Sequence, residues 1–241
     1  MIACGCDVCT SPNEKDKRLR SSILVQSQKT TLLVDTTPDF RTQMLRENVK
    51  KLDAVLFTHP HKDHIAGLDD IKAYNFFQHK AMEVYANTLT QEGLKREFYY
   101  IFSENKYPGI PNINLHTITD KPFTVGDIPV IPILVFHLKM PVLAFRFGDF
   151  TYITDANRID ENEKEKIKGS KILVVNALRK KEHISHFNLR EAIDLVEELK
   201  IPKAYFTHIS HQLGLHDEIN KELPENIQLA WDGLKIDLMG K

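Results

Sequence analysis

The sequence predicts an α/β protein rich in strands. Two observations carry this reading. Short apolar runs, dominated by β-branched and aromatic residues, recur along the 241 residues and alternate with helical or loop stretches. Several of these runs are followed at once by a residue of metal-binding or orienting type, so that the chemistry gathers at the carboxyl ends of strands, where open α/β sheets place their ligands.

The predicted strands are Ser22–Val25, Thr31–Val34, Ala54–Phe57, Val130–Ile133, Val142–Phe145, Thr151–Thr154, Ile172–Val175 and Ala204–Thr207. Runs of about four to six residues favour strands over buried helix pieces. The clearest helix is Asn188–Lys200, where Leu189, Ala192, Ile193, Val196 and Leu199 recur at helical spacing. Asn188 with Glu191 three positions on resembles a capping box, and Pro202 stands just past the end. Helical spacing also marks Asp39–Glu47, Leu68–Gln78 and Thr90–Phe102, the last with Leu94, Phe98 and Ile101 on one face. The aromatics Tyr74, Phe76, Phe77, Phe98, Tyr99, Tyr100 and Phe102 read first as core packing, and second as a substrate mouth or a dimer contact. Pro108-Gly109-Ile110-Pro111 marks a loop. With no repeat, low-complexity tract or clear linker, residues 1–241 are expected to form a single domain. No opening strand precedes Cys4, so a strand is expected to be missing from the sheet edge, as if Met1 were an internal methionine.

A hydrophobic content of 42% supplies a full core for one domain or at most two. Lys+Arg 32 against Asp+Glu 33 leaves no broad basic face, which argues against a protein that holds nucleic acid mainly by charge. No apolar run approaches the roughly eighteen residues of a membrane span, and the N-terminus has no charged-then-apolar signal pattern. A cytoplasmic protein is expected. Three cysteines, all at the N-terminus, make no paired framework and read as thiolates in a reducing compartment.

The strongest chemical pattern is Thr58-His59-Pro60-His61-Lys62-Asp63-His64, three imidazoles and a carboxylate just past the apolar run ending at Phe57. Alternate spacing lets His59 and His61 leave the backbone in one direction, while Asp63 and His64 reach a second ion beside the first. A dinuclear site follows as a possibility from spacing alone; a merely histidine-rich polar loop is the alternative. Other runs end in the same way: Val34 leads to Asp35, Thr154 to Asp155, Val175 to Asn176 and Thr207 to His208. Cys4-Gly5-Cys6-Asp7-Val8-Cys9 offers three soft ligands suited to one tetrahedral zinc that takes its fourth donor from a histidine or cysteine elsewhere.

These motifs resemble the metallo-β-lactamase superfamily, whose H-x-H-x-D-H motif is matched by His59, His61, Asp63 and His64, with later motifs in the expected order over most of the chain. The resemblance implies a four-layer αβ/βα sandwich with two divalent ions at its rim. It implies that one ion takes His59, His61 and His137, the other Asp63, His64 and His208, and that Asp155 bridges them. Two ions about 3.5–4 Å apart lower the pKa of a bridging water towards neutrality, which suits hydrolysis. The cysteine run narrows the resemblance to the subgroup of the cyclic-phosphate phosphodiesterase of bacterial phosphonate breakdown. There a histidine three residues after the last catalytic ligand joins the cysteines, which implies a closed structural zinc site of Cys4, Cys6, Cys9 and His211.

The subgroup also resembles this chain around Asn176-Ala177-Leu178-Arg179 and His183-Ile184-Ser185-His186. His186 is the expected general acid, with His183 second; the bland alternative is a pair of polar helix-entry residues. Arg179, Lys180 and Lys181 stand ready to steady a phosphate or to be solvated surface charge. The expected function is therefore a phosphodiesterase acting on a small, cyclic or linear, phosphate ester with zinc, manganese or iron at the active site, and the resemblance suggests a homodimer. The competing expectations are a metallo-hydrolase of another bond (lactone, thioester or RNA phosphodiester) and a non-catalytic zinc-binding module.

Overall fold

The computed structural model describes residues 1–104 and 107–238. The chain divides into two compact units: a first, Arg20–Pro132, and a second that joins Met1–Leu19 to Ile133–Lys241. The fold is mixed α/β, with two sheets and helices packed on them.

In the first unit β1 (Ile23–Gln26), β2 (Thr31–Val34), β3 (Ala54–Leu56), β4 (Met82–Ala86) and β5 (Ile113–Thr117) lie in that order in a five-stranded sheet. β1 and β2 are antiparallel, and β2 to β5 are parallel, with Leu32 opposite Ala54 and Ala54 opposite Glu83. β2 and β3 are buried at every position, which explains their unbroken apolar sequences. Leu33, Val55, Phe57, Met82 and Val84 pack on one face with Phe40, Ile65, Leu68, Leu94 and Ile101 from the helical segments. β6 (Phe123–Val125) forms a hairpin with the start of β7 (Ile128–His137) across the Gly126 turn.

The second unit takes over within β7 and continues with β8 (Met140–Phe147), β9 (Phe150–Ile153), β10 (Ile172–Asn176), β11 (Lys203–Thr207) and β12 (Ile227–Leu229). The sheet order is β12-β11-β10-β9-β8-β7-β6. β8 and β9 are antiparallel and β9 to β12 are parallel. Val135, Val142, Ile153, Val175 and Phe206 form its core with Ala192, Leu195 and Val196 of the helix Leu189–Glu198. That helix carries the capping box the sequence announces: Glu191 N donates to Asn188 Oδ1 at 3.0 Å, and Asn188 N to Glu191 Oε2 at 2.8 Å.

Two helical expectations are refined. The pattern over Thr90–Phe102 breaks at Phe98, which leaves helical geometry (φ −120°, ψ 41°) between helices Thr88–Glu97 and Tyr99–Phe102. The break lets Phe98 and Ile101 both reach the core. The pattern over Leu68–Gln78 is a 3-10 stretch, Ala66–Ile71, running into a helix, Lys72–Gln78. Gly67 permits this approach, because a Cβ there would lie 2.0 Å from the Thr36 carbonyl oxygen. Tyr74, Phe98, Tyr100 and Phe102 pack on the core as expected, whereas Phe76, Phe77 and Tyr99 are exposed. No helix among the described residues is long and apolar enough to cross a membrane.

The N-terminal strap of the second unit is fixed by a buried carboxylate. Asp16 accepts from Ser11 Oγ and from the His216 backbone amide, both at 2.8 Å, and pairs with Arg18 at 3.7 Å. Arg18 Nη2 donates to the Nδ1 of buried His216 at 3.1 Å, and His216 stands edge-on to Trp231. Burial, then the Arg18 and Lys15 charges, hold His216 below the usual histidine range, so the folded chain keeps it neutral. As pH falls through the unfolded value of about 6.5, the unfolded chain takes up a proton that the folded chain refuses, and stability declines. The urea midpoint should therefore drop between about pH 7 and pH 5.5, and His216→Gln, which still accepts from Arg18 without titrating, should flatten the drop. An unchanged pH dependence in His216→Gln would remove this role.

Candidate active site

In the first unit, the donors His59, His61, Asp63 and His64 follow β3 directly. A single buried carboxylate organises them. Asp35, at the end of β2, is fully buried and has a left-handed backbone (φ 65°). Its Oδ1 accepts from Thr58 N at 2.9 Å, and its Oδ2 accepts from Thr58 Oγ1 and His64 Nδ1, each at 2.8 Å. Thr58 has one hydroxyl proton and spends it on Asp35, so its oxygen accepts from His59 Nδ1 at 2.9 Å. Both histidines thereby carry the proton on Nδ1 and present Nε2 as the donor atom, the arrangement metal-binding imidazoles adopt. Burial pushes the Asp35 carboxyl up, and His64 and Thr58 pull it back down. The His59 ring lies 4.7 Å from that of His61 and 4.2 Å from that of His64. Arg20 pairs with Asp63 at 3.7 Å.

In the second unit, His137 ends β7, and Asp155 and His208 follow β9 and β11. Asp155 (φ 54°) and His208 (φ 52°) share the left-handed backbone of Asp35. This conformation turns the chain sharply at a strand end and is uncommon outside glycine, with Asn, Asp and His tolerating it best. Asp155 Oδ1 lies 3.2 Å from His208 Nε2 and accepts from Thr154 Oγ1 at 2.5 Å, and its Oδ2 lies 3.3 Å from His186 Nε2. Donor atoms of Asp155, His186 and His208 fall within 4.8 Å of one another. His137 Nδ1 donates to the Ser185 carbonyl at 2.8 Å, which leaves Nε2 as its donor atom. Asn176, closing β10, holds the turn after Asp155 by bonding both the amide and the carbonyl of Ala156.

His186 is buried between two other imidazoles, stacked on His208 at 5.0 Å and edge-on to His137 at 4.4 Å. Its Nδ1 lies 3.2 Å from both His183 Nδ1 and Ser185 Oγ. Burial, followed by the His186 and Arg179 charges, holds His183 below the usual range. Ser185, Thr58 and Thr154 carry no motif signal in sequence; each acts by bonding a neighbour that does.

The cysteine cluster is also in the second unit. His211 Nδ1 lies 3.5 Å from Cys4 Sγ and 3.4 Å from Cys6 Sγ, and all four donors, Cys9 included, lie within 4.8 Å of one another. A tetrahedral zinc with bonds of about 2.3 Å to sulfur needs donors at about this separation, so the residues fit the ion. Contact with His211 and the Cys9 backbone amide pull the Cys6 thiol down to about 6, favouring the thiolate that a metal requires.

Comparison with known proteins agrees with this geometry. Residues 30–209 match the family described as beta-lactamase superfamily domain. A crystallised diphosphatase of the PhnP family is 40% identical, with TM-score 0.92 over 98% of this chain and 90% of that one. The metallo-beta-lactamase fold protein YhfI from Bacillus subtilis shares the fold at 21% identity and TM-score 0.74, over 90% of each chain. A Porphyromonas gingivalis protein named octanoyltransferase is 37% identical over 237 residues, 97% of this chain and 48% of its own length. The chain thus spans about half the length of that curated relative. On the match over residues 30–209 and the likeness to the PhnP-family enzyme, the chain belongs to the metallo-β-lactamase superfamily and within it resembles the PhnP family.

Proposed function

We propose that this metal-dependent hydrolase is a phosphodiesterase acting on a small phosphate ester, cyclic esters included. The observation that carries the reading is His186, an imidazole outside the expected ligand set whose Nε2 stands 3.3 Å from Asp155. The PhnP-family relative is a diphosphatase, which supports phosphorus rather than carbon as the attacked centre. In this proposal His59, His61 and His137 would hold one ion, Asp63, His64 and His208 would hold the other, and Asp155 would be shared between them; family membership supports joining the two donor sets. The two units then work as one hydrolase domain, in the cytoplasm and as a homodimer.

When bound, the ions supply Lewis-acid activation of water near neutral pH and offset charge on the phosphoryl oxygens. The chain's own residues do the rest. Asp35, through His64 and Thr58, fixes two imidazoles in one tautomer. His186 holds a proton at Nε2 and gives it to the departing alkoxide oxygen, while Ser185 and His183 orient its ring through Nδ1. His137 is aimed by the Ser185 carbonyl, so one short segment orients both a ligand and the acid.

A second reading rests on the octanoyltransferase match: acyl chemistry, with a thioester as the bond attacked. That name belongs to a chain about twice as long, so the acyl activity need not reside in the matched half. Offering the metallated protein bis(p-nitrophenyl) phosphate, a cyclic ribose phosphate and an octanoyl thioester separates the readings. Cleavage of the thioester alone would overturn the phosphodiesterase assignment.

Three outcomes are expected. His186→Ala should retain its metal content and lose about 10²- to 10⁴-fold in kcat on the diester, the usual worth of a positioned proton donor. Full turnover in that variant would rule the role out. Asp35→Ala should weaken metal affinity by about 10- to 100-fold in chelator competition, the effect expected for a residue that orients ligands; wild-type affinity would show that Thr58 alone suffices. Cys6→Ser should carry one zinc fewer per chain by elemental analysis and melt at a lower temperature, because metal binding contributes folding free energy. Undiminished zinc content would remove the structural site.

A further inference from the structure

The segment between β10 and the helix Leu189–Glu198 carries His183, Ser185 and His186 without regular structure of its own. Its base is closed by Leu178 N donating to the Phe187 carbonyl at 3.0 Å and Leu189 N donating to the Arg179 carbonyl at 2.9 Å. Its far side is held by Asn157 Nδ2 on the Ile184 carbonyl at 3.0 Å, His137 on the Ser185 carbonyl, and Phe187 N on the Ala156 carbonyl at 2.7 Å. On the near side, residues 180–182, one side chain holds the backbone carbonyls. Arg179 folds back and donates from Nη2 to the Glu182 carbonyl at 2.7 Å and from Nε to the Lys181 carbonyl at 3.3 Å. Its Nη1 donates to Gln212 Oε1 at 2.9 Å. Gln212 follows His211 of the cysteine cluster directly, and its own amide is bonded to Ser210 Oγ.

We propose that Arg179, set by Gln212, is a positioning residue that fixes the 180–186 segment and so presents His183 and His186. The catalytic consequence rests on the phosphodiesterase reading above. The geometry suits arginine in particular. A planar fork with donors at fixed angles reaches two successive carbonyls and a side-chain amide at once, which a lysine ammonium on a flexible stem does not reproduce. Three of the five N–H donors of Arg179 already go to protein oxygens, which sets the plane of the guanidinium by the segment itself. Lys180 is likewise engaged, with Glu222 at 2.6 Å. The link through Gln212 also joins this segment to the loop that carries both His208 and His211.

The test uses the metallated full chain in four forms: wild type, Arg179→Met, Arg179→Lys and Gln212→Leu, with the Arg179→Met/Gln212→Leu double variant closing the cycle. Amide hydrogen exchange over residues 181–186 is read first, because it needs no substrate. Arg179→Met should speed exchange there by about tenfold or more while the core strands keep wild-type protection. On bis(p-nitrophenyl) phosphate the same variant should lose about tenfold in kcat with KM within about twofold and metal content unchanged, as expected when a catalytic group is misplaced. Arg179→Lys should recover little of this. Gln212→Leu, at an exposed position, should shift both readouts in the same direction by less, and the double variant should be no worse than Arg179→Met, since the two residues act as a unit. Unchanged exchange in Arg179→Met overturns the proposal, as does a raised KM with kcat intact, which would mark Arg179 as a phosphate contact. Full recovery by lysine or strictly additive losses would also overturn it. If the wild-type protein leaves the diester uncut, the phosphodiesterase reading falls, and the exchange result still decides whether Arg179 holds the segment.

Discussion

The histidine cluster of the first unit depends on one carboxylate that never touches substrate. Asp35 is wholly buried, and a buried carboxylate is costly unless every acceptor site is used. Here the cost is offset by a backbone amide, a hydroxyl and an imidazole, all from the segment Thr58–His64. The same three bonds dictate the tautomers of His59 and His64 and hold the turn after β3 against the end of β2. Satisfying a buried charge and aiming two metal donors are therefore one structural act.

The second unit reaches an equivalent end by other means. Asp155 and His208 leave their strands through left-handed backbone, and Asn176 ties down the turn beyond Asp155. Such conformations cost of order 1–3 kcal/mol each and persist where surrounding contacts over-determine them. The hydrogen bonds of Asn176 to both polar groups of Ala156 provide that constraint on the Asp155 turn. Strain at strand ends and rigidity just beyond them make the donor positions reproducible.

Much of this was legible in the sequence. Apolar runs such as Leu32–Val34 and Ile172–Val175 are strands because parallel strands are buried on both faces, and the Asn188 capping box marks the start of its helix to the residue. The candidate donors His59, His137, Asp155 and His208 stand out in the sequence because each closes an apolar run. β4, β5, β6 and β12 escaped the pattern: β4 alternates buried and half-buried positions, β5 sits at a sheet edge and is half exposed, and β6 and β12 are three residues long. Phe98 looked helical because the pattern records spacing and not the backbone break that serves two core contacts at once. The buttresses Thr58, Thr154 and Ser185 stayed hidden for a different reason. Each acts through a bond to a neighbour, and bonding partners are set by tertiary geometry.

The cysteine cluster has a consequence for how the molecule is made. His211 stands 207 and 205 positions after Cys4 and Cys6, so these donors meet only once the whole of the first unit's sequence has been made. The second unit is assembled from two segments that flank the first unit in sequence, and it closes only after the first unit's residues have emerged. Throughout that interval Cys4, Cys6 and Cys9 are without their histidine partner, open to oxidation and to stray soft cations. The distance between these donors in sequence thus constrains how the chain is made as well as how it is finished.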